Sequence, residues 1–476
     1  MSSQAYILAP HIALRSWERV PFAYVERFHA RPHALSAEAF DILAACDGKT
    51  PLSPSAELDQ LLARGLARPC EPGSTTLAPW QRHRRFPNRV TPYMCLEITA
   101  RCNYNCIHCF NAADNERLHA QMSMQQVEKL LDSAQAMGVQ AMLLTGGEPL
   151  MHPQFFDIVQ AIYARDMFVF EINTNGRFIC ESVLDKLASF GYKPEMKISF
   201  DGLGFHDWMR GCEGAEADTL RAIELCVQKG FPTRAQININ RKNHESILPT
   251  LEVLDHMGVD RARVIPTTPS TRWEMNAQGQ NMGWQEYLQT FLEISAAYAR
   301  GEHGMEVEGW HVATLFPRKR AFSLRPLRYS PATFKPSRPC CAKNNGMPSI
   351  AADGELYPCL QCSGWFSAHG ESFGNVFNQG LQNALAGEAY CQVAHATVAD
   401  MLAHLQARID TQSQTCINCQ WLTWCAGGCP AMGGLAHNGD MLTPDPYSCA
   451  FFNDGWIQRY AKALAPWRCL TPLPNG

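Results

Sequence analysis

Three cysteines in one short segment are the residues of this chain best suited to chemistry. Cys102, Cys106 and Cys109 have the spacing C-x3-C-x2-C and follow an apolar stretch, Met94–Thr99, that predicts a strand. Three thiolates can hold three irons of a [4Fe–4S] cluster, and most clusters use four cysteines. One iron would therefore stay open for a small ligand. A zinc site or buried free thiols fit the spacing less well, because zinc sites usually close with four ligands and favour C-x2-C pairs.

Three polar motifs follow the next predicted strands. A Gly-Gly-Glu-Pro run at 146–149 follows the second strand, 173–176 ends the third and 199–202 ends the fourth. Glycines allow the backbone to approach a ligand closely, and the Glu148 carboxylate suits an amino group. Asn, Asp and Gly also favour turns, which is the alternative interpretation of these motifs.

The pattern as a whole resembles the radical S-adenosylmethionine (SAM) superfamily. In that family the open iron of the cluster binds SAM, which is split to give a 5′-deoxyadenosyl radical. The resemblance implies SAM-contacting residues in the loop and at the strand ends: Phe110, Gly146, Gly147, Glu148, Asn173, Ser199, Asp201, Arg210 and Asn238. Asn240 is an alternative to Asn238. No catalytic base is evident; Glu306, Glu308 and His311 could line the pocket, although a solvated loop is the preferred interpretation.

A second cysteine-rich region lies near the C-terminus and resembles the SPASM extension of this superfamily, which typically binds two auxiliary [4Fe–4S] clusters. The resemblance implies an inner cluster held by Cys341, Cys359 and Cys429. It implies an outer cluster held by Cys416, Cys419, Cys425 and Cys449. The fourth position of the inner cluster could be filled by Cys340 or Cys362, or could stay open. The expected cofactors are therefore three [4Fe–4S] clusters and SAM.

Alternating strand and helix patterns predict a parallel sheet over the middle of the chain. The predicted strands are Met94–Thr99, Ala141–Thr145, Phe168–Thr174, Lys197–Asp201, Arg234–Asn240 and Arg263–Thr267. Six such units fit an α/β fold of the partial (β/α)6 barrel type, in which chemistry lies at the C-terminal ends of the strands. We expect a core over 92–315, a connector over 316–338 and a cluster domain over 339–476.

The first 85 residues suggest a small independent module. Ser36 can cap a helix that runs through Ala44, a second helical stretch covers Glu57–Gly65, and Leu66–Arg68 is extended. This winged-helix-like order resembles the precursor-peptide recognition modules of pathways that modify ribosomally made peptides. The alternative is an unspecialised cap on the next domain.

Composition limits the partners and the compartment. The 476 residues carry a net charge of −4 and are 46% hydrophobic, and the sequence has no apolar run long enough to cross a bilayer. We therefore expect a cytoplasmic protein that binds neither nucleic acid nor membrane. Twenty cysteines in a chain of this kind favour metal binding over disulfides.

The resemblance implies an enzyme that abstracts hydrogen from a precursor peptide or small protein subunit and forms Cys thioether crosslinks within it. An external electron donor such as flavodoxin or ferredoxin would be needed. The alternatives are a maturase that forms carbon–carbon (cyclophane) crosslinks and an anaerobic sulfatase-type formylglycine maturase. The latter is disfavoured because its branch has an aspartate where this chain has Leu360. A non-catalytic metal-binding protein is the alternative of a different class.

Overall fold

The computed structural model describes residues 4–109, 111, 119–268, 270–276, 279–324, 347–407 and 416–471. Phe110, Cys340 and Cys341 lie outside these ranges. The chain divides into two compact units. The first comprises residues up to Met94, Gln125–Met142 and Asp157–Val169; the second comprises Cys95–Met124, Leu143–Phe156 and the residues from Phe170 onward.

The N-terminal residues form two small sheets and two helices. Their elements are β1 (Gln4–Leu8), β2 (Ile12–Ser16), β3 (Ala23–Glu26), β4 (His29–Ala34), α1 (Ala37–Ala44), β5 (Asp47–Leu52), α2 (Ala56–Ala63), β6 (Ala67–Cys70) and β7 (Arg84–Arg85). The sheet orders are β5-β1-β6 and β4-β3-β2-β7. The predicted cap is confirmed, because Ser36 Oγ accepts a hydrogen bond from Ala39 N at 3.1 Å.

The four strands that precede α1 were not expected from the sequence. They lack the regular alternation of apolar and polar residues that identifies a half-buried strand. β2 is buried at all five positions, and β4 contains Pro32 between polar neighbours. The module therefore contains more sheet than the expected helices and wing, and its role stays a prediction.

The large sheet is built on the six predicted strands, in sequence order. They are β8 (Tyr93–Thr99), β9 (Ala141–Gly146), β10 (Phe168–Thr174), β11 (Glu195–Ser199), β12 (Thr233–Ile239) and β13 (Arg261–Pro266). The full strand order is β18-β17-β8-β9-β10-β11-β12-β13-β14-β15-β16-β19, and β10 to β14 pair in parallel. Helices follow each of the six strands: α3 (Met124–Ala136), α4 (Phe155–Tyr163), α5 (Glu181–Ala188), α6 (His206–Arg210), α7 (Ala215–Gln228), α8 (Ile247–His256), α9 (Thr271–Asn276) and α10 (Trp284–Tyr298). This repeat confirms the predicted α/β class.

A seventh parallel strand corrects one expectation. Glu306 and Glu308, expected in a solvated loop, lie on β14 (Glu306–Gly309), which pairs with β13. β15 (Ala313–Phe316) and β16 (Ala321–Leu324) follow, so the expected connector begins with ordered strands. Residues 325–338 of that connector lie outside the described residues.

The parallel strands carry polar residues on one face and apolar residues on the other. In β12 the apolar Ala235 and Ile237 are fully buried and alternate with Arg234, Gln236 and Asn238. Charged side chains pair across the polar face: Arg234 lies 3.7 Å from Glu171 and also pairs with Glu195. The apolar face therefore supplies the core, while the polar face is occupied by paired charges and amide side chains.

The C-terminal region is mostly helical. Its elements are β17 (Ser349–Ile350), β18 (Leu356–Tyr357), α11 (Leu360–Ala368), α12 (Val376–Gln379), α13 (Leu381–Ala386), α14 (Glu388–Ala394), α15 (Val398–Ala407), α16 (Leu422–Cys425), α17 (Pro430–Ala436), α18 (Pro446–Asn453), α19 (Trp456–Ala463) and β19 (Arg468–Cys469). β17 pairs in parallel with β8, which joins this region to the large sheet. None of the described helices has the length and apolar character needed to cross a bilayer.

Candidate functional site

The loop after β8 presents the three cysteines at different depths. Cys102 is exposed, Cys106 is buried and Cys109 is partly buried. Backbone hydrogen bonds fix the loop, since Tyr104 N donates to Cys102 Sγ at 3.4 Å and Cys109 N donates to Cys106 O at 3.2 Å. The three thiols therefore lie on one short, braced segment.

The Gly-Gly-Glu run after β9 packs directly on this loop. Gly147 N donates to Thr99 O and Glu148 N donates to Arg101 O, both at 2.8 Å. A Cβ atom at Gly146 would lie 2.2 Å from Thr99 O, and one at Gly147 would lie 2.3 Å from Arg101 O. Both positions therefore require glycine, because any side chain would collide with the backbone that leads into Cys102.

The Glu148 carboxylate is fully buried and held by three donors. It accepts from Thr174 Oγ1 at 2.9 Å, Asn175 N at 2.8 Å and Leu150 N at 3.2 Å. Burial raises the pKa of Glu148 to about 7, although these hydrogen bonds oppose the shift. A buried carboxylate of this kind is ready to accept a hydrogen bond from a ligand amino group.

Asn175, at the end of β10, links three parts of the site. Besides its backbone bond to Glu148, its Nδ2 donates to Asn103 Oδ1 at 2.8 Å and lies 3.9 Å from Cys102 Sγ. The neighbouring predicted residue, Asn173, is partly buried, and its Oδ1 has no hydrogen-bond partner among the described residues. Asn173 is therefore available to a ligand, whereas Asn175 braces the loop.

Asp201 and Arg210 form a buried ion pair behind the loop. Arg210 Nη2 lies 2.7 Å from Asp201 Oδ2, and Arg210 Nη1 donates to Cys106 Sγ at 3.6 Å. Burial would raise the pKa of Asp201, but the charge of Arg210 lowers it below its usual value. The carboxylate that Arg210 meets in the structure is thus that of Asp201, and the pair supports Cys106.

Asn238 connects this ion pair to His108. Asn238 N and Nδ2 donate to Asp201 Oδ1 at 3.0 and 3.1 Å, and Nδ2 lies 3.3 Å from His108 Nε2. His108 Nδ1 lies 3.3 Å from Met209 O, which can only accept, so Nδ1 carries the proton and Nε2 accepts from Asn238. Burial lowers the pKa of His108 to about 4, which agrees with a neutral ring.

His108 and Asn175 are the two site residues that the sequence interpretation missed. In the sequence His108 lies between the predicted ligands Cys106 and Cys109, where a histidine side chain could equally be exposed to solvent. Asn175 belongs to the recognised 173–176 motif, but its contacts depend on the fold of the cysteine loop. Ser199 is the last residue of β11 and is partly buried, and its contact with SAM stays a prediction.

Four C-terminal cysteines line one small cavity. Cys416, Cys419, Cys425 and Cys449 surround about 290 Å³ of space, part of it open to solvent, together with Trp421, Leu422, Phe452 and Asn453. Within the described residues, no three His, Cys, Asp or Glu side chains are grouped as ligands of a single metal ion. Four thiols around one cavity, bordered by the apolar side chains of Trp421, Leu422 and Phe452, suit a cluster.

The cysteines predicted for the inner cluster are only partly described. Cys359 begins α11, where its Sγ accepts from Gln361 N at 3.4 Å, and Cys429 is buried before α17. Cys362 is buried, and its Sγ donates to Cys359 O at 3.1 Å. Because Cys340 and Cys341 lie outside the described residues, the fourth position of the inner cluster stays a prediction with three alternatives: Cys340, Cys362 or an open iron.

Comparison with known families agrees with both cysteine regions. Residues 96–272 match the radical SAM superfamily, and residues 340–420 match SPASM, an iron–sulfur cluster-binding domain. The chain is 27% identical to mycofactocin maturase MftC of Mycolicibacterium smegmatis over 408 residues, 82% of this chain and 90% of the relative. It is 28% identical to an AdoMet-dependent heme synthase of Methanosarcina barkeri, covering 42% of this chain and 57% of the relative. The chain spans about half the length of this heme synthase and of two other relatives that it matches.

A solved structure extends the likeness of fold over nearly the whole chain. The structure of Streptococcus suis SuiB bound to precursor peptide SuiA covers 93% of this chain and 99% of its own, with a TM-score of 0.63 at 13% identity. Residues 96–272 are thus similar to radical SAM domains, which bind SAM and a [4Fe–4S] cluster. More specifically, the chain carries a radical SAM domain followed by a SPASM iron–sulfur domain.

Proposed function

We propose that this chain is a radical SAM enzyme that modifies a ribosomally made peptide or small protein subunit by hydrogen abstraction. The product is an intrapeptide thioether between a Cys sulfur and a carbon of another residue. The observation that carries the proposal is the braced C-x3-C-x2-C loop packed against Glu148. The match to MftC over 82% of the chain favours a peptide substrate over a tetrapyrrole, since the heme synthase matches only 42%.

The residues of the core have separable roles in this proposal. Cys102, Cys106 and Cys109 hold the cluster that, with SAM bound, supplies a 5′-deoxyadenosyl radical. Glu148 accepts a hydrogen bond from the amino group of SAM. The other proposed SAM contacts are Phe110, the backbone of Gly146 and Gly147, and the polar side chains Asn173, Ser199 and Asn238.

We propose that Asp201 and Arg210 also position the site, in addition to the SAM contacts expected of them. Their buried ion pair holds Asn238 on one side and Cys106 on the other, so they position the site. Arg210 also places a positive charge beside Cys106, a predicted cluster ligand.

The auxiliary ligands divide into two sets. Cys416, Cys419, Cys425 and Cys449 line the cavity of the outer cluster. Cys341, Cys359 and Cys429 hold the inner cluster, with Cys340 or Cys362 as a fourth ligand or an open iron. Such clusters would accept the electron that is released when the new bond forms, and an external donor such as flavodoxin or ferredoxin would reduce the SAM-binding cluster.

The N-terminal module, residues 1–85, recognises the precursor peptide, and the protein acts in the reducing cytoplasm. The core then occupies 92–315 and the cluster domain 339–476. Carbon–carbon crosslinking remains the competing reaction, because it needs the same cofactors. A sulfatase-type maturase is disfavoured, since Leu360 stands at the first position of α11, where that branch has a carboxylate.

Mass spectrometry of the precursor peptide encoded beside the gene tests the proposal. After anaerobic incubation with enzyme, SAM and reductant, we expect a loss of two hydrogens per bond and cysteines that no longer react with an alkylating reagent. The same loss with free cysteines would instead establish carbon–carbon crosslinks. The variant with Cys102, Cys106 and Cys109 all replaced by Ala is the control. Formation of 5′-deoxyadenosine by that variant would contradict the assignment.

A further inference from the structure

The loop between Cys425 and Cys429 has an uncommon backbone. Ala426, Gly427 and Gly428 are consecutive residues with positive φ angles of 50°, 77° and 74°. A Cβ atom at Gly428 would lie 2.6 Å from the Cβ atom of Asp445. The loop therefore packs closely against Asp445, which belongs to a later segment of the chain.

Asp445 is fully buried and uses both carboxylate oxygens. Oδ1 accepts from Tyr447 N at 2.9 Å and from Ser448 N at 3.4 Å, which caps α18. Oδ2 accepts from Ser448 Oγ at 2.5 Å and from Cys429 N at 3.1 Å. An ordinary N-cap needs only the first oxygen. The second oxygen reaches beyond the helix to a proposed ligand of the inner cluster.

The backbone of Asp445 makes two further connections. Its N donates to Gly427 O at 2.9 Å, inside the Cys425–Cys429 loop, and its O accepts from Cys449 N at 3.0 Å. Cys425 and Cys449 are proposed ligands of the outer cluster. One residue thus bonds to Cys429 of one ligand set, to Cys449 of the other, and to the loop that separates them.

From this geometry we propose that Asp445 is a positioning residue that holds the two auxiliary ligand sets together and lowers the reduction potentials of both clusters. The inference rests on the cluster ligands of the proposed function. The electrostatic reason is simple: a buried negative charge disfavours the addition of an electron nearby, and net charge and hydrogen bonding set cluster potentials. Its exclusion from water strengthens the effect.

Two substitutions of Asp445 distinguish the effect of its negative charge from the effect of its helix cap. Asp445→Asn removes the charge but keeps an oxygen to cap α18, whereas Asp445→Ala removes both. Asp454→Asn is the matched control, because Asp454 lies at the other end of the same helix and is exposed. All three are made in the chain whose Cys102, Cys106 and Cys109 are Ala, so that only the auxiliary clusters contribute to the signal.

The measurements are iron and sulfide content after anaerobic reconstitution and a potentiometric titration followed by electron paramagnetic resonance. We expect Asp445→Asn to retain iron and shift the auxiliary potentials upward, Asp445→Ala to lose auxiliary iron, and Asp454→Asn to change neither. Unchanged potentials in Asp445→Asn, or an equal shift in Asp454→Asn, would overturn the inference. If the parent chain with intact Asp445 binds no auxiliary iron, the cluster assignment itself fails, and this inference with it.

Discussion

At the scale of single residues, the site is organised by buried polar groups more than by the cysteines alone. The sequence identifies the three thiols and the Gly-Gly-Glu run, because their types and spacing are distinctive. It does not identify His108 or Asn175, whose importance lies in contacts between distant segments. The sequence suggested that Gly146 and Gly147 let the backbone approach a ligand. The structure adds a steric reason, because the backbone of residues 99–101 leaves no room for a side chain at either position.

Glu148 gives a prediction about pH. With a pKa of about 7, its carboxylate is increasingly protonated below neutrality and then accepts poorly from the amino group of SAM. SAM binding should therefore weaken as the pH falls below 7, approaching tenfold per pH unit, and this contribution should be constant well above pH 7. Anaerobic calorimetry from pH 5.5 to 8.5 measures the dissociation constant.

The control for this titration is Glu148→Gln, which keeps an acceptor oxygen but cannot ionise. The amino group of SAM titrates in both proteins and weakens binding at low pH in both. The variant should therefore show a shallower dependence. A slope equal to that of the wild type would show that Glu148 does not titrate in this range.

At the scale of elements, the six core strands could be predicted and the remaining strands could not. Buried residues alternate with partly buried ones in β11, β12 and β13, whereas β8 and β9 are short and buried almost throughout. Both patterns identify strands in a sequence. β14 carries Glu306 and Glu308 on its polar face, so it was mistaken for a loop. The pairing of those glutamates with Arg261 and Arg263 on β13 depends on strand register, which no local pattern contains.

Two arginines lie in register on neighbouring strands, and their substitution should lower the free energy of unfolding by different amounts. Arg234 on β12 contacts the largely buried Glu171 and Glu195, whereas Arg261 on β13 pairs with the more exposed Glu306. Arg234→Met leaves Glu195 without its paired cation and Glu171 with Lys197 alone, and should destabilise the fold by about 3 kcal/mol. Arg261→Met should cost only about 1 kcal/mol, since solvent screens its pair. Thermal unfolding of the two variants compares them.

A compensating substitution tests the cause of the larger loss. Adding Glu195→Gln to Arg234→Met removes the carboxylate charge that has lost its cation and should restore part of the melting temperature. If the double variant is no more stable than Arg234→Met alone, packing of the arginine side chain, not charge, explains the loss.

At the scale of the whole molecule, the N-terminal residues are less independent than their sequence suggests. They fall in one compact unit with residues 125–142 and 157–169. Within that unit Arg84 donates to Asp166 at 3.1 Å, and the ring of Phe28 packs edge-on against that of Phe168. The composition of the first 85 residues gave no indication of these contacts, because they depend on partners more than 80 residues away in the chain.

Removal of residues 1–80 tests the proposed recognition role. The truncated chain should bind the precursor peptide at least tenfold more weakly, while uncoupled formation of 5′-deoxyadenosine from SAM falls far less. Fluorescence anisotropy of a labelled precursor measures binding, and a scrambled leader sequence is the control ligand. Unchanged affinity would assign recognition to another part of the chain, and loss of both properties would show that these residues are needed for folding.

The alternation along the parallel strands has a consequence for how such a protein can evolve. Ala235 and Ile237 fill the core, while Gln236 and Asn238, their immediate neighbours, face the opposite way. Mutations at Gln236 can therefore accumulate without opening a cavity at Ala235 or Ile237. Asn238 is constrained by its hydrogen bonds to Asp201, and Arg234 by its ion pairs. Directed evolution confined to alternate positions without such contacts would explore new specificities while the buried residues between them preserve the sheet.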